Sequence, residues 1–337
     1  MENLEETNKE IEELIRDLAK KLLEEKVVDV IIGYTTGTVP LSSSPVVIDK
    51  VEEVDKLIWN NLCYINLAKY LVPLMPTFIK SDGQKLKIGI ISKGCVGKAL
   101  IHLAVEHQID LDDIKIIGIP CNGIINRARI QKEIGEQEII SVSVSGDNII
   151  VKTKDLEKAF SFEEYENELC KTCQVKSPPK VAEVNVGEFL ENPIIEDDFA
   201  DLENYESKTP EEKWEYIKDL LSTCTRCYAC REACPMCYCN LCFVDQNKPV
   251  WFGKTTDLPD IIVFHLIRAL HLTGRCVACG ACTSVCPMGI DLNLITRKLE
   301  KIAKEQFGFT SGIDFEQLPP MMSFSIDDKQ EYMLEED

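Results

Sequence analysis

The sequence predicts two regions of different class in one chain of 337 residues: an α/β domain on a mainly parallel sheet, then an α-helical, cysteine-rich domain. Three observations carry this. Short Val- and Ile-rich runs alternate with helical stretches through the first half, the pattern of a parallel sheet with crossover helices. The pattern fails across 192–210, "NPIIEDDFADLENYESKTP", where acidic residues accumulate. Beyond it, a dense set of cysteines recurs at fixed spacing. The expected boundaries are 1–191 for the α/β core, 192–207 for an acidic linker, 208–310 for the helical domain and 311–337 for an extended acidic tail ending in "EYMLEED".

The elements follow in order. Leu4, Ile11, Leu14, Ile15, Leu18 and Leu22 share one face of an amphipathic helix over 4–25. Strands are expected at "VVDVIIGY", "PVVI", "KLKIGIIS" and "IKIIGIP", separated by helical stretches such as 51–60 and 97–108. "EIISVSVSGDNIIVKT" reads as a hairpin turning at Ser145-Gly146-Asp147-Asn148. Thr209-Pro210-Glu211-Glu212 fits a capping box opening a helix through about Leu221. "DLPDIIVFHLIRALHLTG" (257–274) reads as a further helix, closed by Gly274.

Composition excludes several classes. No apolar run reaches the ~18 residues of a membrane span. The N-terminus is charged and helical in period, without a signal-peptide core, so the expected location is the cytoplasm, with no membrane insertion. A net charge of −20 opposes phosphate, and no basic face or DNA-reading element is present, so nucleic acid is not an expected partner. Sixteen cysteines in a reducing compartment point to metal or redox chemistry rather than disulfides.

Cys224, Cys227, Cys230 and Cys234-Pro235 form C-x2-C-x2-C-x3-C-P, and the run recurs 52 residues later as Cys276, Cys279, Cys282 and Cys286-Pro287. Three thiolates two residues apart wrap three corners of a cubane; the departing chain sends its fourth cysteine to the other cluster. One [4Fe–4S] cluster is thus assigned to Cys224, Cys227, Cys230 and Cys286, the other to Cys276, Cys279, Cys282 and Cys234. A zinc ribbon needs neither the triple run nor the proline. The second region therefore reads as a ferredoxin-like dicluster domain, with a long helical insert between the runs. His265 and His271 lie on different faces of that insert and read as helix-surface residues, and Trp251 and Phe252 as core packing.

Three surplus thiols, Cys237, Cys239 and Cys242, are either ligands of a fourth metal or cluster site or buried packing. In the α/β region Cys95 and Cys121 follow two expected strands, at the carboxyl edge where such sheets bind ligands. With the Cys170-x2-Cys173 pair they make a third [4Fe–4S] cluster geometrically reasonable; the alternative is two packed thiols and a zinc or redox C-x2-C. Cys63 is expected inside a helical run, as packing. Gly33, Thr35, Thr36, Lys93, Gly94, Gly97, Lys98, Asn122 and Gly123 gather at the same predicted edge, where backbone N–H groups and a lysine would cradle a dinucleotide phosphate. No Walker or GxGxxG motif is present, so FAD is permitted by these residues rather than signalled by them.

The runs "SPVVIDKVEEVDKLIWNNLCYINLAKYL", "KIGIISKGCVGKAL", "KIIGIPCNG" and "CKTCQVKSPP", followed by "CTRCYACREACPMCYCNLC", resemble the coenzyme F420 hydrogenase/dehydrogenase beta-subunit family. The order is most like that of its formate dehydrogenase members, and the likeness covers roughly residues 25 to 300. The resemblance implies an iron–sulfur flavoprotein subunit passing electrons between FAD and a chain of clusters. It also implies a catalytic dehydrogenase or hydrogenase partner, sometimes a heterodisulfide-reductase-type complex. Members that react with F420 usually carry Asp and Arg after the glycine–cysteine pair, where this chain reads Cys95-Val96-Gly97-Lys98. That departure leaves two readings: an FAD-bearing, hydride-splitting subunit, or a flavin-free relay and docking subunit.

Overall fold

The Ile- and Val-rich runs pair into a sheet because both of its faces are covered, so each central strand is apolar throughout rather than alternating. The computed structural model describes residues 3–74, 79–80, 83–179, 182–188, 190, 198–324 and 326. Strands β1 (Val30–Thr36), β2 (Ser43–Ile48), β3 (Ile88–Ser92) and β4 (Ile114–Gly118) lead into a second sheet of β5 (Ile139–Ser145), β6 (Asn148–Thr153) and β7 (Glu157–Ser161), and then β8 (Val184–Asn185). The first sheet has the order β2-β1-β3-β4-β8, parallel from β1 to β8 with β2 antiparallel at the edge. All of β3 is buried, as are Ile31 and Ile32 of β1 and Ile116 and Ile117 of β4.

The helix Leu4–Glu24 lays Ile11, Ile15, Ala19 and Leu22 on this core, and Asn3 caps it by accepting from the Glu5 and Glu6 N–H groups. The expected hairpin forms β5 and β6, turning at Gly146 with φ 60°. β7 had no clear sequence signal; it pairs with β6 and brings Phe160 edge-on to Tyr165, 5.0 Å between ring centres. The stretch 51–60 forms only the 3-10 helix Val51–Lys56, and Cys63 lies in a turn rather than a helix, fully buried.

The helix Pro210–Leu221 opens on the expected capping box, with both reciprocal bonds between Thr209 and Glu212 present. The helix Leu258–His271 links the cysteine runs, and Asn293–Phe307 packs against it. Parts of the expected linker and tail pack against the rest of the chain. Of the linker, 192–197 lie outside the described residues, but Asp201 and Glu206 dock on Arg297, Lys298 and Lys301 of the last helix. The tail is not extended at its start: Ser311 is buried against His102, and a Cβ on Gly312 would stand 2.1 Å from the Lys98 carbonyl. Residues 325 and 327–337 of that tail lie outside the described residues. Among the described residues no helix is long and apolar enough to cross a membrane.

Candidate functional site

The 52-residue repeat of the cysteines is also a repeat of backbone. Arg226 and Ala278, two residues past the first cysteine of each run, both take positive φ (55° and 51°); so do Tyr228 and Gly280, two residues further on (61° and 68°). Each left-handed pair starts a four-residue helix, Ala229–Glu232 or Ala281–Ser284, and the two helices pack together. The Cys234 N–H bonds the Arg231 carbonyl as the Cys286 N–H bonds that of Thr283. Amides point at sulfur in both runs: Arg226 N–H, in the first reversal, donates to Cys224 Sγ at 3.4 Å, and Ile290 N–H, just after the left-handed Gly289, to Cys286 Sγ at 3.4 Å.

The structure brings the sequence-predicted thiols together in three sets. Cys224 neighbours Cys227 and Cys286, and Cys230 neighbours Cys224 and Cys286. Cys234, Cys276, Cys279 and Cys282 line one small cavity. Cys95, Cys121, Cys170 and Cys173 line another, at the carboxyl ends of β3 and β4. The sets stand in line: Ala278 and Cys279 also border the Cys95 cavity, and Cys282 neighbours Cys230. Burial pushes the Cys95 thiol up to about 11 and that of Cys230 to about 12, so each holds its proton until a metal displaces it. Among the described residues no group of three or more His, Cys, Asp or Glu is arranged to hold a single metal ion. A cubane spreads its four thiolates over a larger body, and an all-cysteine donor set fits it.

The surplus thiols divide. Cys237 hydrogen-bonds Cys234, which draws the Cys234 thiol down, while Cys239 is exposed and Cys242 half-buried. All three line a cavity of about 860 Å³ together with Arg231, Arg268 and Arg275.

The nine residues expected to cradle a dinucleotide do not make one cradle. A Cβ on Gly33 would meet Leu57 and Ile91, on Gly94 the Val175 carbonyl at 1.9 Å, on Gly97 Pro178 and on Gly123 Glu166. Protein therefore fills the space those glycines leave. Lys93 is fully buried; its Nζ donates to the Cys63 carbonyl and lies over the Tyr34 ring, beside the Cys95 cavity rather than on an open edge. Thr36 and Asn122 are exposed, Thr35 is half-buried, and Lys98 borders a different cavity of about 460 Å³ that also touches Cys95, Cys173 and Cys276. These residues, as placed, do not fit a flavin cradle.

Two aromatic or imidazole expectations change. His265 is not a surface residue: it is buried, its Nε2 stands 3.4 Å from Cys224 Sγ, and burial followed by Arg268 and Arg226 holds its pKa down at about 4. His271 does lie at the surface, edge-on to Phe243. Trp251 is 65% exposed rather than packed, whereas Phe252 packs on Phe243. Sequence reasoning missed Arg268, although a lone cation in the apolar run "IIVFHLIRAL" was the available signal. It also missed the buried cluster in which Arg275 and Tyr238 grip Glu106, for which spacing gives no sign.

No family model matches the chain. Over 91% of its length it is 24% identical to the F420-dependent formate dehydrogenase subunit beta of Methanocaldococcus jannaschii, covering 93% of that protein. It is 25% identical to the F420-dependent formate dehydrogenase 1 subunit beta of Methanococcus maripaludis, covering 91% of this chain and 92% of that one. The chain is a relative of these beta subunits. Among solved structures, the xenon-derivatised F420-reducing [NiFe] hydrogenase complex from Methanosarcina barkeri matches 50% of this chain and 64% of its own, at 18% identity and a TM-score of 0.34.

Proposed function

We propose that this beta-subunit relative is an electron-transfer subunit of a multi-subunit redox complex of the formate dehydrogenase or hydrogenase kind. Its electrons run through [4Fe–4S] clusters on three sets of four cysteines: Cys224/Cys227/Cys230/Cys286, Cys276/Cys279/Cys282/Cys234 and Cys95/Cys121/Cys170/Cys173. The observation that carries the reading is the succession of these sets, each bordering the next, from the sheet edge into the helical region. This helical region reads as a ferredoxin-like dicluster unit on 208–310, docked on the α/β region of 1–191.

A [4Fe–4S] cluster supplies single-electron storage at each set. The chain's own residues hold the positions. Left-handed loops turn N–H groups toward sulfur, and the short paired helices fix the distance between runs. Cys230 is buried, which shields the set it belongs to from water. A catalytic dehydrogenase or hydrogenase subunit stands at one end, and a heterodisulfide-reductase-type module is the second candidate partner. The cytoplasm is the proposed location.

Of the two forms of this reading, the flavin-free relay is favoured by one specific observation. The glycines and Lys93 that an FAD cradle requires are occupied by packing and by the Cys95 cavity. The test is anaerobic purification with co-purifying partners, then iron and acid-extracted flavin from one sample. About twelve irons without flavin support the three-cluster relay. About twelve with one FAD restore the hydride-splitting form, and F420 and pyridine nucleotides then become the substrates to assay. About eight irons remove Cys95 and its set. About sixteen make Cys237, Cys239 and Cys242 ligands of a fourth site.

A further inference from the structure

Arg268 projects from the helix that joins the two cysteine runs, and its side chain is buried, at 5% exposure. Its Nη2 donates to the Cys230 carbonyl at 3.1 Å, while Nε is buried with no hydrogen-bond partner. The groups that act on it are thiols: Cys234, Cys282, Cys237 and Cys230. Among the described residues no carboxylate pairs with it, in contrast to Arg275, which holds Glu106, and Arg297, which holds Asp201 and Glu300. It lines the cavity of Cys234, Cys276, Cys279 and Cys282 and also touches the backbone of Cys230, which belongs to the neighbouring set. A buried guanidinium cannot shed its proton, so it must find its countercharge within reach.

We infer that Arg268 is the shared countercharge of the two ferredoxin-type clusters and holds both of their reduction potentials up. The inference rests on the cluster reading given above. A cubane with four thiolates is anionic, and one-electron reduction adds one negative charge with no bond made or broken. A fixed cation between two such sites favours the reduced form of each, and the dry interior strengthens the effect. Cluster charge and hydrogen bonding near sulfur are the levers by which a protein sets such potentials. Arg268 supplies charge to both sets and an unspent N–H. His265, by contrast, reaches only Cys224.

The experiment uses the complex, purified anaerobically, with Arg268→Gln, Arg268→Met, Arg268→Lys and His265→Gln compared with the parent. Each sample is assayed for iron and titrated potentiometrically with paramagnetic resonance detection. In both neutral variants the two midpoints move to more negative potential. The reduced-to-oxidised ratio at fixed potential falls about tenfold or more, which is ~59 mV for a one-electron couple. The Lys variant moves less, and His265→Gln moves one midpoint only. If the neutral variants lose iron while the Lys variant keeps it, the cation is required for assembly and the inference stands. Unmoved midpoints in iron-replete neutral variants overturn it. Iron loss in all three variants also overturns it, since shape rather than charge is then what matters. A parent complex without cluster iron instead refutes the cluster reading itself, and the iron assay tells the two failures apart.

Discussion

Replacing Glu106 with Gln tests what holds the cysteine runs against the α/β region. Glu106 closes the helix Gly94–Val105, and its side chain is 6% exposed. Arg275 grips the carboxylate with two bonds, Nε to Oε1 at 2.6 Å and Nη2 to Oε2 at 2.9 Å, while the Tyr238 hydroxyl donates to Oε2. Arg275 precedes Cys276 and Tyr238 follows Cys237, so one carboxylate ties both runs to the sheet region. Two routes give the magnitude. Removing one partner of a buried ion pair costs about 3–5 kcal/mol, because the other charge stays buried. Independently, burial alone would raise the carboxyl, yet the nearby His102 and hydrogen bonds from Arg275 and Tyr238 hold it at about 2 against an ordinary 4.5. That gap is worth about 3 kcal/mol.

The assay is anaerobic urea unfolding of the iron-loaded protein, parent against Glu106→Gln, with the midpoint falling at unchanged slope. The sign with pH is fixed: a depressed carboxyl contributes fully above about 4.5 and loses its contribution as pH falls toward 2. The difference between the two proteins is therefore constant from pH 6 to 8 and narrows below about pH 4.5. The double variant Glu106→Gln/Arg275→Met regains part of the loss, since it leaves no buried charge without its partner. A loss under about 1 kcal/mol, or a double variant as weak as the two single losses added, refutes the clamp.

Three other outcomes are expected. Gly94→Ala drives its Cβ into the Val175 carbonyl, shifts the loop carrying Cys170 and Cys173, and costs about four irons; unchanged iron would show that the loop can give way. Thr209→Ala removes the hydroxyl that accepts from the Glu212 N–H and lowers stability by about 1 kcal/mol in thermal melts with iron intact; an unmoved melting point would mean that the helix start is held elsewhere. Cys239→Ser, at an exposed thiol, leaves iron content unchanged whereas Cys121→Ser loses about four irons; iron loss at Cys239 would enrol the surplus cysteines as ligands.

Where a residue's role follows from spacing, the sequence was readable. The strands β1, β3 and β4, the hairpin at Gly146 and the box at Thr209 all come from local periodicity and turn chemistry. The meeting of Cys234 with Cys276, Cys279 and Cys282 was also legible, because the triple run leaves one corner to be reached from the other half. Lys93 shows the limit. Next to Gly94 it reads as a phosphate-binding lysine, but only the packing of β1 and the Cys63 turn decides that it points inward. His265 shows the same limit, since its burial depends on how the helix Leu258–His271 lies on Cys224. Contacts between residues distant in sequence, such as Glu106 with Arg275, have no local signature.

The repeat of the cysteine runs extends to a conformational cost. A non-glycine residue in the left-handed region costs about 1–2 kcal/mol, and both runs adopt it at two positions each. Of the four residues there, Arg226, Tyr228, Ala278 and Gly280, only Gly280 takes it freely. Side-chain preference therefore does not cause this geometry, because residues as unlike as tyrosine and glycine share it. What the halves have in common is the cysteine spacing, which requires a tight reversal between successive thiols. In the first run Tyr228 offsets its strain by receiving the Arg226 Nε at 2.8 Å and packing edge-on to Phe264, 5.2 Å between ring centres. In the second run glycine takes that position, with Asn167 3.3 Å from where its Cβ would stand. Each half thus reaches the same thiol arrangement by a different compensation, as expected if the four-thiol sets, and not the surrounding side chains, are what both loops are built to present.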